Sequence, residues 1–410
     1  MENKKLTKLE KYWIMYDVGN SAFVMLIATI IPIYFNYLAK SAGISEVNYL
    51  AYWGYAASVS TVIVALIGPV LGSIADTQNY KKPLFTISMM VGVIGCAAMS
   101  FPTSWVVFLA VFVIAKVGYN ASLIFYDSML VDITSADRMD EVSSQGYAWG
   151  YIGSCIPFIL SLVLVLMYEK IGITMRMAMT GAFFLNAVWW AVVTIPLLRN
   201  YRQKNYVAVS SHSVKNSFKR LGQTFMDVHK EKKIFWYLLA FFFFIDGVYT
   251  IIEMATAYGS ALGLDSTGLL LALLVTQLVA FPCALICAKL SGKYPTERLI
   301  GVCIVAYIGI ALFAIQLDKQ WEFWTLAVLV GMFQGAIQAL ARSYFAKIIP
   351  AEKSGEYFGI YDICGKGASF MGTTLVGIVA QVTGVANAGV AVIAVLFVIG
   401  YILFKKAVRA

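Results

Sequence analysis

Long apolar runs alternate with short polar breaks along almost the whole chain. Roughly 20 mostly apolar residues cross a bilayer as a helix, and runs of about that length or more fall at 12–39, 48–75, 83–101, 104–131, 142–168, 175–198, 234–262, 266–288, 298–317, 321–345, 356–383 and 386–404. Stretches such as 241–245 and 269–274 are continuously apolar. Barrel strands would alternate apolar and polar positions instead. The pattern predicts twelve transmembrane helices. The first run is too long for a cleavable signal, is interrupted by Asp17 and lacks a small-residue cleavage site, so it reads as a retained start-transfer anchor.

Composition agrees. Of 410 residues, 60% are hydrophobic and 13% charged, about half the charge of a soluble domain. A chain of this length cannot enclose so much apolar side chain away from water, so lipid must solvate much of its surface.

The net charge of +9 invites a nucleic-acid reading, but its distribution argues against one. Assigning the N-terminus and every second loop to one side gathers 25 of the 31 basic residues there, nine of them in the loop 199–233. That asymmetry predicts a cytoplasmic location for this side and for both termini, and offers a handle for anionic lipid. The six cysteines all fall in apolar runs and read as packed thiols. His212 and His229 share one loop and suggest no metal set.

The loop 199–233 divides the spans six and six. Val214, Phe218, Leu221, Phe225 and Val228 recur at helical spacing within it, predicting an amphipathic helix over 214–228. The expected organisation is a six-helix bundle over 1–198, a cytoplasmic linker over 199–233 and a second bundle over 234–410. The halves repeat. At an offset of 215 residues Asp127 meets Arg342, Ser128 meets Ser343, Glu141 meets Glu356 and Gly150 meets Gly365, while Asp17 and Asp246 hold comparable places in spans one and seven. By analogy with other transporters built of like-facing repeats, substrate is expected between the halves near the bilayer midplane.

Between spans two and three runs Gly68-Pro-Val-Leu-Gly72-Ser-Ile-Ala-Asp76, followed by the basic pair Lys81-Lys82. This resembles the signature loop of the major facilitator superfamily. Glycine permits close helix approach, and an aspartate can accept from a neighbouring helix N-terminus, so Gly72, Asp76, Lys81 and Lys82 are candidate gating residues. The alternative is a solvated turn carrying positive-inside lysines. The second-half copy has Gly292 where the acid would stand, predicting an asymmetric latch.

Three further segments narrow the resemblance: Tyr16-Asp17-Val-Gly-Asn20-Ser21-Ala-Phe23, Phe125-Tyr-Asp127-Ser-Met-Leu-Val-Asp132, and the stretch from Ala341-Arg342 through Pro350 to Gly365-Lys366. Together they resemble the autophagy-related vacuolar amino-acid effluxer-like branch, although Val18, Gly19 and Asp127 stand where that branch usually has tryptophan, alanine and asparagine. The resemblance implies an all-α membrane protein with the major facilitator fold, twelve helices in two parallel six-helix repeats, acting as a monomeric secondary transporter in the cell membrane. Amino-acid export, attributed to the fungal member, is what it suggests for cargo.

Ionisable groups inside spans cost several kcal/mol unless paired or hydrated. Asp17, Lys116, Asp127, Asp246, Glu253, Asp362 and Lys366 are therefore functional candidates. Asp246 lies about 20 Å beyond Lys233, near mid-membrane, and is the leading candidate to bind a proton, a sodium ion or a substrate amine. A structural salt bridge to Lys116 or Lys366 is the alternative. Asp17, about 9 Å beyond Lys11, suits a gate, as do Asp127 and Arg342. Glu253 shares a helical face with Asp246, Lys116 with Asn120, and Asp362 with Lys366; Asn20 adds a polar group beside Asp17. Acids and bases together suit a zwitterion or pair with one another. Trp13, Trp105, Trp321 and Trp324 near span ends are expected interface anchors. No Walker loop, metal cluster or nucleophile elbow is present, which argues against a nucleotide-driven pump or an enzyme and predicts no cofactor. The expected partners are a small-molecule substrate, a coupling ion and membrane lipid. The rival readings are a carrier of an amphiphile such as a lysolipid or drug, and a non-transporting scaffold.

Overall fold

The computed structural model describes residues 5–208, 223–224, 226–261 and 263–410. Among them, twelve helices are long and apolar enough to cross a membrane, from Lys8–Ser41 to Asn387–Arg409. The first span is two helices, α1 (Lys8–Ala28) and α2 (Ile30–Ser41), broken at Thr29 with φ −135° and ψ −69°. The Thr29 hydroxyl donates to the Met25 carbonyl, and Pro32 has no N–H with which to continue the ladder.

The rest of the first half comprises α3 (Glu46–Ala75), α4 (Lys81–Ala98), α5 (Trp105–Ser128), the single turn α6 (Leu130–Ile133), α7 (Met139–Ile171) and α8 (Met175–Asn200). The second comprises α9 (Lys232–Ala261), α10 (Ser266–Leu290), α11 (Thr296–Ile315), α12 (Gln320–Ile348), α13 (Ser354–Thr383) and α14 (Ala386–Arg409). The amphipathic helix expected over 214–228 lies outside the described residues except for 223–224 and 226–228, which are helical. Local chemistry sets the ends. Thr7 and Glu10 form a capping box on α1. Gly172 and Gly384 take the left-handed conformation (φ 76° and 70°) that ends α7 and α13, the corresponding fifth and eleventh spans.

Within the first half α1 packs on α7 and α8, and α4 on α5; within the second α9 packs on α14 and α13, and α11 on α14 and α12. The halves meet through α3 against α13 and α10 against α7, with α12 on α7 and α13 on α5 inside them. A shift of six spans turns α3–α13 into α10–α7, and α13–α5 into α7–α12. The interface is thus pseudo-two-fold, as parallel repeats require. With an even number of spans, both ends of the described chain emerge at one end of the bundle, here the terminal end.

Candidate transport cleft and its closures

Arg342 of α12 reaches out of the second half and is sunk in the first. Its Nη1 donates to Asp127 at 3.0 Å, Nη2 to Asp17 at 3.4 Å and to the Ser143 carbonyl at 3.2 Å, and Nε to Ser143 Oγ at 3.0 Å. The guanidinium also stacks against Trp13 (4.6 Å) and Tyr147 (4.5 Å). Asp17 is held in turn by Tyr126 Oη at 2.7 Å and by Asn20. A buried charge is tolerated only when paired and hydrogen-bonded, and this one makes two ion pairs and four hydrogen bonds across the inter-half boundary. Trp13, expected at the membrane interface, is instead fully buried, stacked on Tyr126 with its indole N–H donating to the Tyr126 carbonyl. It walls the arginine.

Nearer the terminal end are two further closures. In the first, Asp76 caps α13: its carboxylate accepts from the Gly355 amide at 2.7 Å and the Glu356 amide at 2.9 Å, where the helix dipole favours an anion. Lys81 Nζ donates to Ser354 Oγ at 2.8 Å and lies 3.7 Å from Asp76 and 3.9 Å from Asp132. A Cβ on Gly72 would overlap the Gly355 carbonyl, so glycine is what lets α3 and α13 touch. The second closure mirrors the first with its charge inverted. Asp140, in the first turn of α7, accepts from Thr296 (2.5 Å), Ser343 (2.6 Å) and Lys347 (2.6 Å) of the other half. Thr296 stands 215 residues after Lys81, and Lys347 the same distance after Asp132. The second-half loop does lack an acid, but the acid has moved to the helix it faces.

Above these closures lies the candidate cleft. Lys366 pairs with Asp362 one turn back on α13. Lys116 of α5 lies within electrostatic reach of Glu253 on α9 and of Lys366, and is half-buried while Glu253 is exposed. Asn120, a turn from Lys116, is buried. Tyr249 lies within electrostatic reach of Asp127, Asp362 and Glu253. Asp246 is fully buried inside the second half, where Oδ1 accepts from the Gly372 amide (3.0 Å) and Thr250 Oγ1 (3.3 Å). Its Oδ2 has no hydrogen-bond partner among the described residues. A Cβ on Gly372 would overlap that carboxylate.

This architecture has counterparts. Residues 7–409 match the family model described as "Vacuole effluxer Atg22 like". The chain belongs to that family, a branch of the major facilitator transporters. An "Uncharacterized MFS-type transporter YxiO" of Bacillus subtilis is 41% identical over 98% of this chain and 95% of its own length. The "Autophagy-related protein 22" of Cryptococcus neoformans is 26% identical over 67% of this chain and 53% of its own. Among solved structures, a bacterial homologue of the iron transporter ferroportin in the outward-facing state superposes with a TM-score of 0.71 at 13% identity, covering 98% of this chain and 99% of that one. The transporter FucP in its outward conformation gives 0.70 at 11%, covering 98% and 97%. At such identities these two establish the fold alone. The Atg22-like chain is a transporter, not an enzyme.

In this family member the structure sorts the sequence candidates into three places. Asp17, Asn20, Asp127 and Arg342 converge on one network; Gly72, Asp76 and Lys81 come together at one inter-half contact; Lys116 lies within electrostatic reach of Glu253 and of Lys366, which pairs with Asp362. Lys82 points away from the closures, into a groove beside α4. Asp246 bonds neither Lys116 nor Lys366. α13 covers it through the Gly372 amide, whereas Glu253, two turns further along α9, is exposed. Sequence reasoning missed Asp140, Thr296, Lys347, Ser143, Tyr126 and Asp132. Asp140 and Lys347 were findable, since they lie within a turn of Glu141 and Ser343, matched positions in the 215-residue repeat.

Proposed function

We infer that the chain moves a small zwitterion, an amino acid or a molecule like it, by alternating access, coupled to a proton or sodium ion at Asp246. The observation that carries this reading is a cleft bearing both signs of charge, with Lys116 of the first half opposite Glu253 of the second and the Lys366–Asp362 pair of the second half beside them. An amine and a carboxylate held by opposite walls reward closure of one half on the other. Asp246, buried beside this space with a spare carboxylate oxygen and no cation bonded to it among the described residues, has the chemistry to gain and lose a small cation. The basic terminal end supports a cytoplasmic orientation for that end in the cell membrane, so the arrangement described is the one closed to the cytoplasm. The family's description as an effluxer supports export.

A second reading rests on a cavity of about 200 Å³ between α9, α13 and α14, lined by Thr250, Met254, Tyr258, Val376 and Val390, which suits an apolar tail. Purified protein in liposomes separates the two. Uptake or exchange of a labelled amino acid that responds to an imposed pH or sodium gradient supports the zwitterion. Transport of a labelled lysophospholipid with no response across an amino-acid panel selects the amphiphile. Failure of both defeats the transport readings offered here.

A further inference from the structure

On the lipid-facing side of the first half, away from the cleft, lies a groove of about 680 Å³ between the start of α4 and the segment that follows α8. Asn79, Lys82, Thr86, Ile87, Arg202 and Gln203 line it. This volume is in the range of small-ligand sites. Lys82 is the second residue of α4 and Arg202 the second after α8, so both cations sit at the level where a bilayer places its head groups. Neither forms an ion pair among the described residues, whereas Lys81, Arg138, Arg342 and Lys347 near this end each have an acid partner. Below the polar rim the walls turn apolar. Ile87 and Ile94 on α4, and Val188, Val192 and Ile195 on the adjoining α8, are exposed toward the hydrocarbon.

We propose that this groove binds the phosphate-bearing head group of an anionic phospholipid, its acyl chains lying along α4 and α8. A soluble phosphate would use the cations and leave the apolar wall bare; a zwitterionic lipid would bring its own cation against Lys82 and Arg202. The groove wall is also the back of the first closure. Gln203 donates to the Ala75 carbonyl at 3.0 Å and accepts from the Lys81 amide at 3.4 Å. Two residues on, Asn205 donates to Asp132 from its backbone (2.8 Å) and side chain (2.9 Å), and Val207 bonds the Asp76 carbonyl at 2.7 Å. Tyr201 Oη donates to the same Asp132 at 2.5 Å. The segment 201–207 therefore straps the Asp76–Lys81–Asp132 cluster in place, and a lipid seated on Lys82 and Arg202 braces the strap. Anionic lipid thus favours the closed terminal end. This holds whatever the cargo.

The test uses full-length protein in uncharged detergent, titrated with phosphatidylglycerol, phosphatidylcholine or inorganic phosphate. Bound lipid is read by native mass spectrometry, and amide exchange is followed at Gly355 and Glu356. Phosphatidylglycerol is expected to bind and to slow exchange at both amides, while the other two probes do neither. K82Q and R202Q each weaken binding by roughly fivefold, and together by about twenty-five-fold. K82R with R202K keeps it, which separates lost charge from lost folding, and the distant pair K289Q and K293Q changes nothing. Equal binding of phosphatidylcholine, full slowing by inorganic phosphate, or undiminished binding in K82Q/R202Q each overturns the proposal.

Discussion

Arg342 and Asp127 occupy equivalent positions in the two halves, 215 residues apart, and their side chains meet at 3.0 Å. Residues related by a pseudo-two-fold can touch only beside its axis, so this ion pair marks where the axis crosses the closed end. The repeat has diverged there into complementary charge: an acid in the first half, a base in the second. Asp132 and Lys347 repeat the contrast.

Removing the two partners has unequal consequences. Arg342→Ala strands both Asp17 and Asp127 and is expected to cost the closed state about 3 kcal/mol or more. Asp127→Asn leaves Arg342 paired with Asp17 and bonded to Ser143, at a cost of about 1 kcal/mol. Amide exchange at Gly355 and Glu356 should rise strongly in the first variant and slightly in the second. Equal effects would show that Asp127, not the arginine, organises the gate.

Gly72→Ala places a methyl group in the Gly355 carbonyl. The expectation is a population shifted away from the closed terminal end, with faster exchange at Gly355 and Glu356 and a fold intact by circular dichroism. Gly309→Ala, at an open position, should leave exchange unchanged. Unaltered exchange in Gly72→Ala would mean that α3 and α13 do not need this contact.

Asp76 lies in the turn between α3 and α4, outside both spans. Burial pushes its carboxyl from 3.8 up to about 7, against the opposing pull of Lys81 and the Glu356 and Gly355 amides, with Glu356 adding to the rise. Opening the closure would hydrate the group and return it toward 3.8. The closed form therefore holds the proton more tightly. Its contribution to closure is full below about pH 4, falls as pH rises toward 7 and changes no further above that. Latch exchange, corrected for its intrinsic pH dependence, should accelerate between pH 5 and 7 in the wild type by more than in Asp76→Asn, whose profile lacks this component. An identical pair of profiles, or one of opposite slope, would remove Asp76 as the source.

For Asp246, the discriminating pair is Asp246→Asn and Gly372→Ala. The amide keeps the shape and loses the titrating group, so gradient-driven accumulation should vanish while exchange of substrate at equal concentrations survives. The alanine forces α13 off α9 and should impair both. Accumulation that persists in Asp246→Asn assigns the carboxylate to structure alone.

The helices were legible because bilayer thickness imposes a length on apolar runs that no other constraint mimics, and the structure departs from the expected ends by a few residues. Asp17, Asp127 and Arg342 stood out because charges inside spans are rare. Their mutual pairing was not legible, since hydropathy says nothing of which helices face each other. Trp13 shows the limit from the other side: an aromatic residue at a span end serves equally as an anchor or as the wall of a buried cation, and only the position of Arg342 decides. The Asp140 closure escaped notice because the repeat conserved a location while reversing its charge. Asp246 was found but its surroundings were not, because Gly372 acts through the absence of a side chain.

The closures at Asp76 and Asp140 are exchanged by the pseudo-two-fold and so stand on opposite sides of the Arg342–Asp127 axis. A joint fastened along one rim can be peeled, its bonds failing one after another at a small force. A joint fastened at both rims has no free edge from which to start. Here the bonds must yield together, which makes partly opened forms scarce.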